Sequence, residues 1–553
     1  MNLIQIIKRK AGLKLLLTTM IVLYSVSVFS QNHTVTGVIK DDATNEALIG
    51  VSIKVKGQSI GTITNLDGKY SISVDPNSTL EYSYLGYKTV QIAIAGKSVI
   101  NVSLVQDVVT LNEVVAIGYG TQKKKELTGA VTQIKSEDMS KIAASDFTKT
   151  LQGQVAGVSV SESSGRPGDN ANIQIRGVGS INANANPIYV VDGIIYESNP
   201  NIASEDISTV DILKDGASCA IYGTRGANGV ILITTKRGKS GEAKVSFGTY
   251  YGIQNIVSGT PLQNTEETLY ASEMYQQSLG GHSPILYYNP NAMDYNTDFI
   301  SAISNDNAAM QNYNLTVSGG TKGLTYNVNT NYFKQDGILI LSGYDRFTTR
   351  ANAAFTKGKF SAFVSLGVNK SNKAVEPWGL YQYAQFQGPY RPPLNIDNSS
   401  IEVQGDNPDH VGFLAKTMTI TDKRVENSYN VSANLKYEIA KGLVYHVNLG
   451  YSNYDYFRKQ FQPQFLTYDN QGKVNELGSR KLAVLTQGNF NSTKTTIENV
   501  INYDKTFGKH KLGLLAGYTI EMMNSRTASS SMNDFISNSV QEFNGGSTLV
   551  SIS

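Results

Sequence analysis

Through the second half of the chain, apolar and polar positions alternate with a period of two. Leu324, Tyr326, Val328, Thr330 and Tyr332 share one face of an extended segment, while Thr325, Asn327, Asn329 and Asn331 share the other. Phe347, Thr349, Ala351, Ala353 and Phe355 stand likewise against Thr348, Arg350, Asn352 and Thr356. A third segment sets Tyr429, Val431, Ala433, Leu435, Tyr437 and Ile439 against Asn430, Ser432, Asn434, Lys436 and Glu438. Successive side chains of a strand point to opposite faces, so the pattern predicts strands of roughly 9 to 14 residues, about ten of them from Val245 onward.

A soluble sandwich alternates as well. Three features favour a membrane barrel: segment lengths suited to a tilted crossing, tyrosines near strand ends, and short turns alternating with long polar loops. Ser318–Gly323 and Thr356–Lys359 are short connections, whereas Val257–Gln311 and Ser371–Glu426 are long ones.

The first half reads differently. Between His33 and Gln106, short alternating runs such as "HTVTGVIK", "VSIKVKG" and "KYSISV" are separated by turns, including Asp67-Gly68. A small antiparallel β-sandwich is expected there. Ser136 to Thr235 predicts an α+β domain. Its expected helices are "SEDMSKI", "DFTKTLQGQVAGV" and part of "SEDISTVDILKDGASCAIYG"; its expected strands are "VSVSES", "NIQIRGV", "NPIYVVDGIIY" and Gly229 to Thr235. Ahead of all this, Lys8, Arg9, Lys10 and Lys14 precede an apolar run from Leu15 to Tyr24, followed by Ser25, Ser27 and Ser30. That is the layout of a signal peptide over residues 1–30, which directs export.

Composition narrows the function. The 553 residues include 50 Gly and 32 Tyr with only 17% charged residues, a mixture suited to strands and turns, and a net charge of +3 gives no electrostatic case for nucleic acid. The single Cys219 excludes an internal disulfide and reads as a small buried hydrophobe. His33, His282, His410, His446 and His510 show no metal-ligand spacing, and neither a G-x-S-x-G elbow nor an H-E-x-x-H motif occurs. No enzyme activity, metal or cofactor is expected. The crowded glycines of "DILKDGASCAIYGTRGANGVILITTKRG" lack phosphate-loop spacing and lead into a strand, so Gly223, Gly226 and Gly229 are read as a structural turn or hinge. Glu113 to Ile117, followed by Gly118 and Gly120, looks like a flexible segment able to add a strand to a partner's sheet.

Five stretches, "LNEVVAIGYGTQKKKELTGAV", "SGRPGDNANIQIRGVGSI", "NPIYVVDG", "DILKDGASCAIYGTRGANGVILITTKRG" and "AAMQNYNLTVSGGTKGLTYNVNTNYFKQDG", together resemble the SusC/RagA family of TonB-linked outer-membrane transporters. Residues 31–107 resemble the carboxypeptidase regulatory-like domain, a transthyretin-like sandwich. The resemblance implies a mainly β chain: this periplasmic sandwich, a TonB-box region at 108–120, an α+β plug at 121–238, and the N-terminal part of a transmembrane antiparallel β-barrel at 239–553. It implies that Glu113, Val114, Val115, Ala116, Ile117 and Gly118 bind TonB, driven by ExbB and ExbD. It further implies a SusD-like surface lipoprotein partner and import of oligosaccharides or peptides across outer-membrane lipid. A plug needs reversible polar contacts with its wall, and Arg176 and Arg225 are the expected donors, with an exposed turn position the alternative for either.

The family departs from this chain in length. Its members run to roughly a thousand residues and a plugged barrel has about 22 strands, so the barrel expected here is incomplete. The terminal "NGGSTLVSIS" also lacks an aromatic ending strand. A fragment of a longer product and a truncated gene are both open, as is a surface receptor or adhesin that binds without transport.

Overall fold

The computed structural model describes residues 33–105 and 114–552, save 43, 59, 85–86, 118–119, 124–130, 140, 163, 178–184, 258–260, 394–401, 404–412, 470–472, 475, 477, 509 and 536. The predicted signal peptide, Glu113 and Gly118 lie outside the described residues. The chain divides into two compact units at Glu113/Val114.

Among the described residues of the first unit, seven short strands form two sheets. They are β1 (His33–Asp41), β2 (Ser52–Val55), β3 (Gly61–Ile63), β4 (Lys69–Val74), β5 (Thr79–Ser83), β6 (Val90–Ala93) and β7 (Val102–Leu104). One sheet has the order β4-β1-β7 and the other β3-β2-β5-β6. Alternate residues such as Val35, Ile39, Ile53, Leu80 and Leu104 are completely buried between them, which removes apolar area from water on both inner faces. The Asp67-Gly68 turn behaves as its residues require. Gly68 has φ +70°, and Asn65 Oδ1 accepts from the amides of Asp67 and Lys69 at 3.0 and 2.8 Å.

The second unit begins with a hairpin, β8 (Val114–Ile117) paired antiparallel with β9 (Gly120–Lys123). The plug follows, with β10 (Val131–Lys135), β11 (Val158–Ser161), β12 (Asn172–Ile175), β13 (Ile188–Val191), β14 (Ile194–Tyr196), β15 (Ile207–Leu213) and β16 (Val230–Thr235). Its main sheet has the order β10-β15-β16-β13-β14, with β16 antiparallel to β15 and parallel to β13. Strand β16 is the centre, and Val230 to Ile233 are buried on both faces.

Helical structure, expected over part of "SEDISTVDILKDGASCAIYG", is confined to the ends of that stretch. Only Ser204–Asp206 and Gly216–Cys219 are helical turns before the glycine-rich stretch, and Ile207–Leu213 between them is a strand. Four buried β-branched side chains, Ile207, Val210, Ile212 and Thr235, and the neighbouring Leu213 fit a doubly covered strand pair better than a helix. The helix expected in "DFTKTLQGQVAGV" is likewise only the turn Phe147–Leu151, capped by Asp146. Gly153 and Gly157, at φ +72° and +76°, end it.

Ten further strands make one antiparallel sheet: β17 (Gly241–Gln254), β18 (Ala308–Gly320), β19 (Leu324–Asp336), β20 (Gly343–Lys357), β21 (Phe360–Ala374), β23 (Thr421–Ala440), β24 (Leu443–Gln462), β26 (Val484–Phe507), β27 (His510–Phe535) and β28 (Gly546–Ile552). The remaining short strands β22 (Glu402–Val403) and β25 (Tyr468–Asp469) pair with each other. Residues 321–323, 358–359 and 441–442 form tight turns at one end of this wall, while at the other end the connections from β17 to β18, β21 to β23 and β24 to β26 are long.

Strands β23 to β27 in the wall run to 20–26 residues, longer than the alternation predicts. In "TQGNFNSTKTT" one face is wholly polar and the other is polar or small apart from Phe490, so the pattern fades while the main-chain ladder continues.

The faces of the wall are inverted relative to a soluble sheet. On β19 the polar Asn327, Asn329 and Asn331 are 4%, 1% and 0% exposed, whereas Val328 and Tyr332 are each 37% exposed. Phe347, Leu315 and Tyr429 share the outward side. An apolar outer face and a polar inner one suit a sheet bathed in lipid. Among the described residues, no helix is long and apolar enough to cross a membrane.

Candidate functional site between plug and wall

The inner polar residues of the wall meet the plug side chain by side chain. Asp206, ending the turn Ser204–Asp206, accepts from Asn329 Nδ2 at 2.7 Å and lies 3.6 Å from Arg350 Nε. Its neighbour Glu205 accepts from Asn312 Nδ2 at 2.7 Å. Where the plug ends, Asn352 donates to Thr235 Oγ1 at 3.1 Å and to the Lys236 carbonyl at 2.7 Å. Arg237 lies 4.2 Å over the Phe363 ring. Across the β13–β14 turn, Asn434 Nδ2 donates to the Asp192 carbonyl at 2.9 Å. Such bonds satisfy buried groups on both partners, and each is individually modest.

Higher on the plug, Lys373 of β21 pairs with Asp169, and Arg166 pairs with Glu376. Burial alone would raise the Asp169 carboxyl. The bonds from Lys373 and Ser164 and the charges of Lys373 and Arg166 outweigh that and hold it below its ordinary value.

The glycine stretch is a kinked helical run, Ala220–Asn228. Gly223 (φ 63°, ψ −151°) makes the kink and Gly229 (φ 96°, ψ 165°) the exit into β16, both in backbone regions essentially reserved for glycine. Gly226 has an ordinary φ, but a Cβ there would come within 2.9 Å of the Cys219 carbonyl oxygen. The kink presents Arg225, whose Nη1 is 2.6 Å from Glu521 Oε2 on β27. Lys494 of β26 lies 3.4 Å from Glu521 Oε1 and donates to the Ile195 carbonyl of the plug at 3.0 Å.

Arg176 is placed differently. It is exposed with φ +57°, its amide donating to the Gly157 carbonyl at 2.9 Å. Among the described residues it makes no ion pair with a wall carboxylate. Val114, Val115, Ala116 and Ile117 form β8, with one edge taken by β9. Cys219 is buried with Sγ 3.6 Å from the Leu213 carbonyl, and burial, then the nearby Asp215 charge, pushes its thiol up, the condition of an unreactive cysteine.

Above the plug lies a cleft of about 470 Å³. The plug contributes Asp169, Tyr196 at the end of β14, and Asn199, and the wall contributes Arg424, Tyr454, Phe490 and Lys494. Asp146 anchors the segment after β14 by accepting from Asn199 Nδ2 at 2.8 Å. Rings and amides with paired charges make a surface able to hold a polar oligomer. Sequence reasoning missed the wall partners Asn312, Asn352, Arg350, Lys494 and Glu521. The polar half of each alternating strand was the signal that could have found several of them.

An α+β plug seated against the polar face of a lipid-suited antiparallel wall is the architecture of a TonB-dependent receptor. Family models agree: the TonB-dependent Receptor Plug Domain matches residues 123–230 and the CarboxypepD_reg-like domain residues 35–116. TonB-dependent receptor P3 of Formosa agariphila is 32% identical over 554 residues, covering 96% of this chain and 52% of its own. TonB-dependent receptor SusC of Bacteroides thetaiotaomicron is 35% identical over 346 residues, covering 60% of this chain and 33% of its own. The RagAB peptide importer in its open-open state superposes with a TM-score of 0.65 at 22% identity, covering 80% of this chain and 52% of that one, a likeness of fold. The chain belongs to the SusC/RagA family of TonB-dependent receptors, whose members are outer-membrane proteins. Its relatives here are named receptors, not enzymes, and it spans about half the length of the curated relatives it matches.

Proposed function

We propose that this chain takes part in TonB-dependent import of a nutrient oligomer, an oligosaccharide or a peptide, across the outer membrane without altering it covalently. The observation that carries the reading is the polar seam between plug and wall, built of separable hydrogen bonds and ion pairs beneath a polar cleft. Residues 1–30 export the chain and the sandwich faces the periplasm. TonB, energised through ExbB and ExbD, pairs with the backbone of Glu113 to Gly118 and pulls on the plug. A SusD-like surface lipoprotein closes over the long loops; the relative named SusC and the neighbour titled as a peptide importer support this reading.

The test is uptake in the native host of a labelled oligosaccharide mixture and a labelled peptide digest, with and without residues 113–118. Deletion should abolish energised uptake of the imported class and leave surface binding intact. Uptake unchanged by the deletion would sink the assignment, and binding with no uptake in either strain would favour a receptor that does not transport.

A further inference from the structure

One side chain touches the cleft, the plug and the latch together. Lys494 lines the cleft, donates to the Ile195 carbonyl at 3.0 Å, and sits 3.4 Å from Glu521 Oε1. The other oxygen of Glu521 holds Arg225 at 2.6 Å. Glu521 Oε1 has no hydrogen-bond partner among the described residues, so Lys494 holds it by charge alone. An ammonium has three donors. One is committed to the plug, and none is locked to Glu521, so the group is free to turn toward the cleft.

We propose that Lys494 couples occupancy of the cleft to release of the plug turn carrying Arg225, and that the coupled ligand presents a carboxylate. The inference rests on the cleft being the ligand site. A neutral hydroxyl does not draw an ammonium from a carboxylate 3.4 Å away, whereas a second carboxylate competes on equal terms. When Lys494 turns to the ligand, the Ile195 carbonyl loses its donor and Glu521 loses one of its two cations. The Arg225–Glu521 pair, with side chains 36% and 23% exposed, is then open to solvent competition. Arg225 lies between Gly223 and Gly226, so the segment it anchors has the backbone freedom to move once released. A uronate residue and a peptide C-terminus carry the same group.

The experiment is hydrogen exchange, read by mass spectrometry, on the full chain in detergent micelles over peptides covering residues 216–229. Its probes are oligogalacturonate, a tryptic peptide digest and neutral maltohexaose, with binding of each measured in parallel. A carboxylated probe should bind and raise exchange of the turn several-fold, and maltohexaose should leave it unchanged. Oligogalacturonate acting alone assigns the uronate source, and the digest acting alone assigns the peptide terminus. In Lys494→Met the response should vanish. Glu521→Gln cuts the latch without entering the cleft; its turn should exchange fast without any probe and gain nothing on adding one. Binding of a carboxylated probe with no change at the turn overturns the coupling and leaves the import reading standing. A full response in Lys494→Met, or binding by maltohexaose alone, overturns it too, as does the absence of binding by all three.

Discussion

Arg225 Nη1 and Glu521 Oε2 lie 2.6 Å apart although 296 residues separate them in the chain. The guanidinium comes from a glycine-kinked turn of the plug and the carboxylate from the inner face of β27, so the pair is one of the polar ties between the plug and its wall.

Because both side chains are partly solvated, the pair should contribute on the order of 1 kcal/mol. A double-mutant cycle of Arg225→Ala and Glu521→Ala, followed by chemical denaturation of the full chain in micelles, should return a coupling energy of that size. Additive single effects would show that the pair holds nothing.

Asp206 is a more costly contact to break. It is 4% exposed, and Arg350, 8% exposed, is its charged neighbour. Asp206→Ala strands a buried guanidinium and removes the acceptor used by Asn329, at about 3–5 kcal/mol. Asp206→Asn keeps an acceptor for Asn329 and should cost clearly less. Equal melting temperatures for the two variants would refute that ordering.

The Asp169 contact carries a pH dependence of known sign. Its carboxyl is held below the ordinary 3.8, so its contribution is complete above that value and disappears as pH falls through the lowered one. The stability difference between wild type and Asp169→Asn should therefore be constant at neutral pH and shrink only in strong acid. A difference already shrinking above the ordinary carboxylate value would contradict the pairing with Lys373.

Much of this architecture is legible in sequence and some is not, for physical reasons. Strand β19 announces itself because Leu324 to Tyr332 alternate against Asn327, Asn329 and Asn331, a signal carried by neighbours two residues apart. The partners of those asparagines have no such signal, since Asn329 meets Asp206 from 123 residues away. Strand β15 misled for another reason: covered on both faces by plug elements, it lost the alternation that marks a half-exposed strand. Arg225 and Arg176 sit in similar glycine-flanked stretches, yet only the first faces a wall carboxylate among the described residues, and nothing local distinguishes them.

The two glycines of the kinked turn should respond differently to substitution. Gly223 and Gly229 both have glycine-only dihedrals, a cost of about 1–3 kcal/mol for alanine at either. A Cβ at Gly223 would meet open space, but at Gly229 it would fall 2.6 Å from Ile175 Cδ1. Gly229→Ala should therefore lower the plug's melting temperature more than Gly223→Ala, and adding Ile175→Val should recover part of the difference. The same loss in both single variants would mean that contact with Ile175 is unimportant.

The inverted faces of the wall make the sharpest test of orientation, using adjacent residues of β19. Val328 is 37% exposed on the outward side, and Asn329 is 1% exposed on the inward side, bonded to Asp206 at 2.7 Å and accepting from Thr316 Oγ1 at 2.7 Å. An arginine on the lipid face costs about 2–4 kcal/mol near the bilayer centre, so Val328→Arg should reduce the fraction of chain recovered in the membrane. Asn329→Leu leaves the lipid face untouched but removes a donor from Asp206 and an acceptor from Thr316, so it should loosen the plug, seen as faster hydrogen exchange over residues 204–213, without changing membrane recovery. If Asn329→Leu instead impaired recovery while Val328→Arg speeded exchange in the plug, the two faces would have to be reversed.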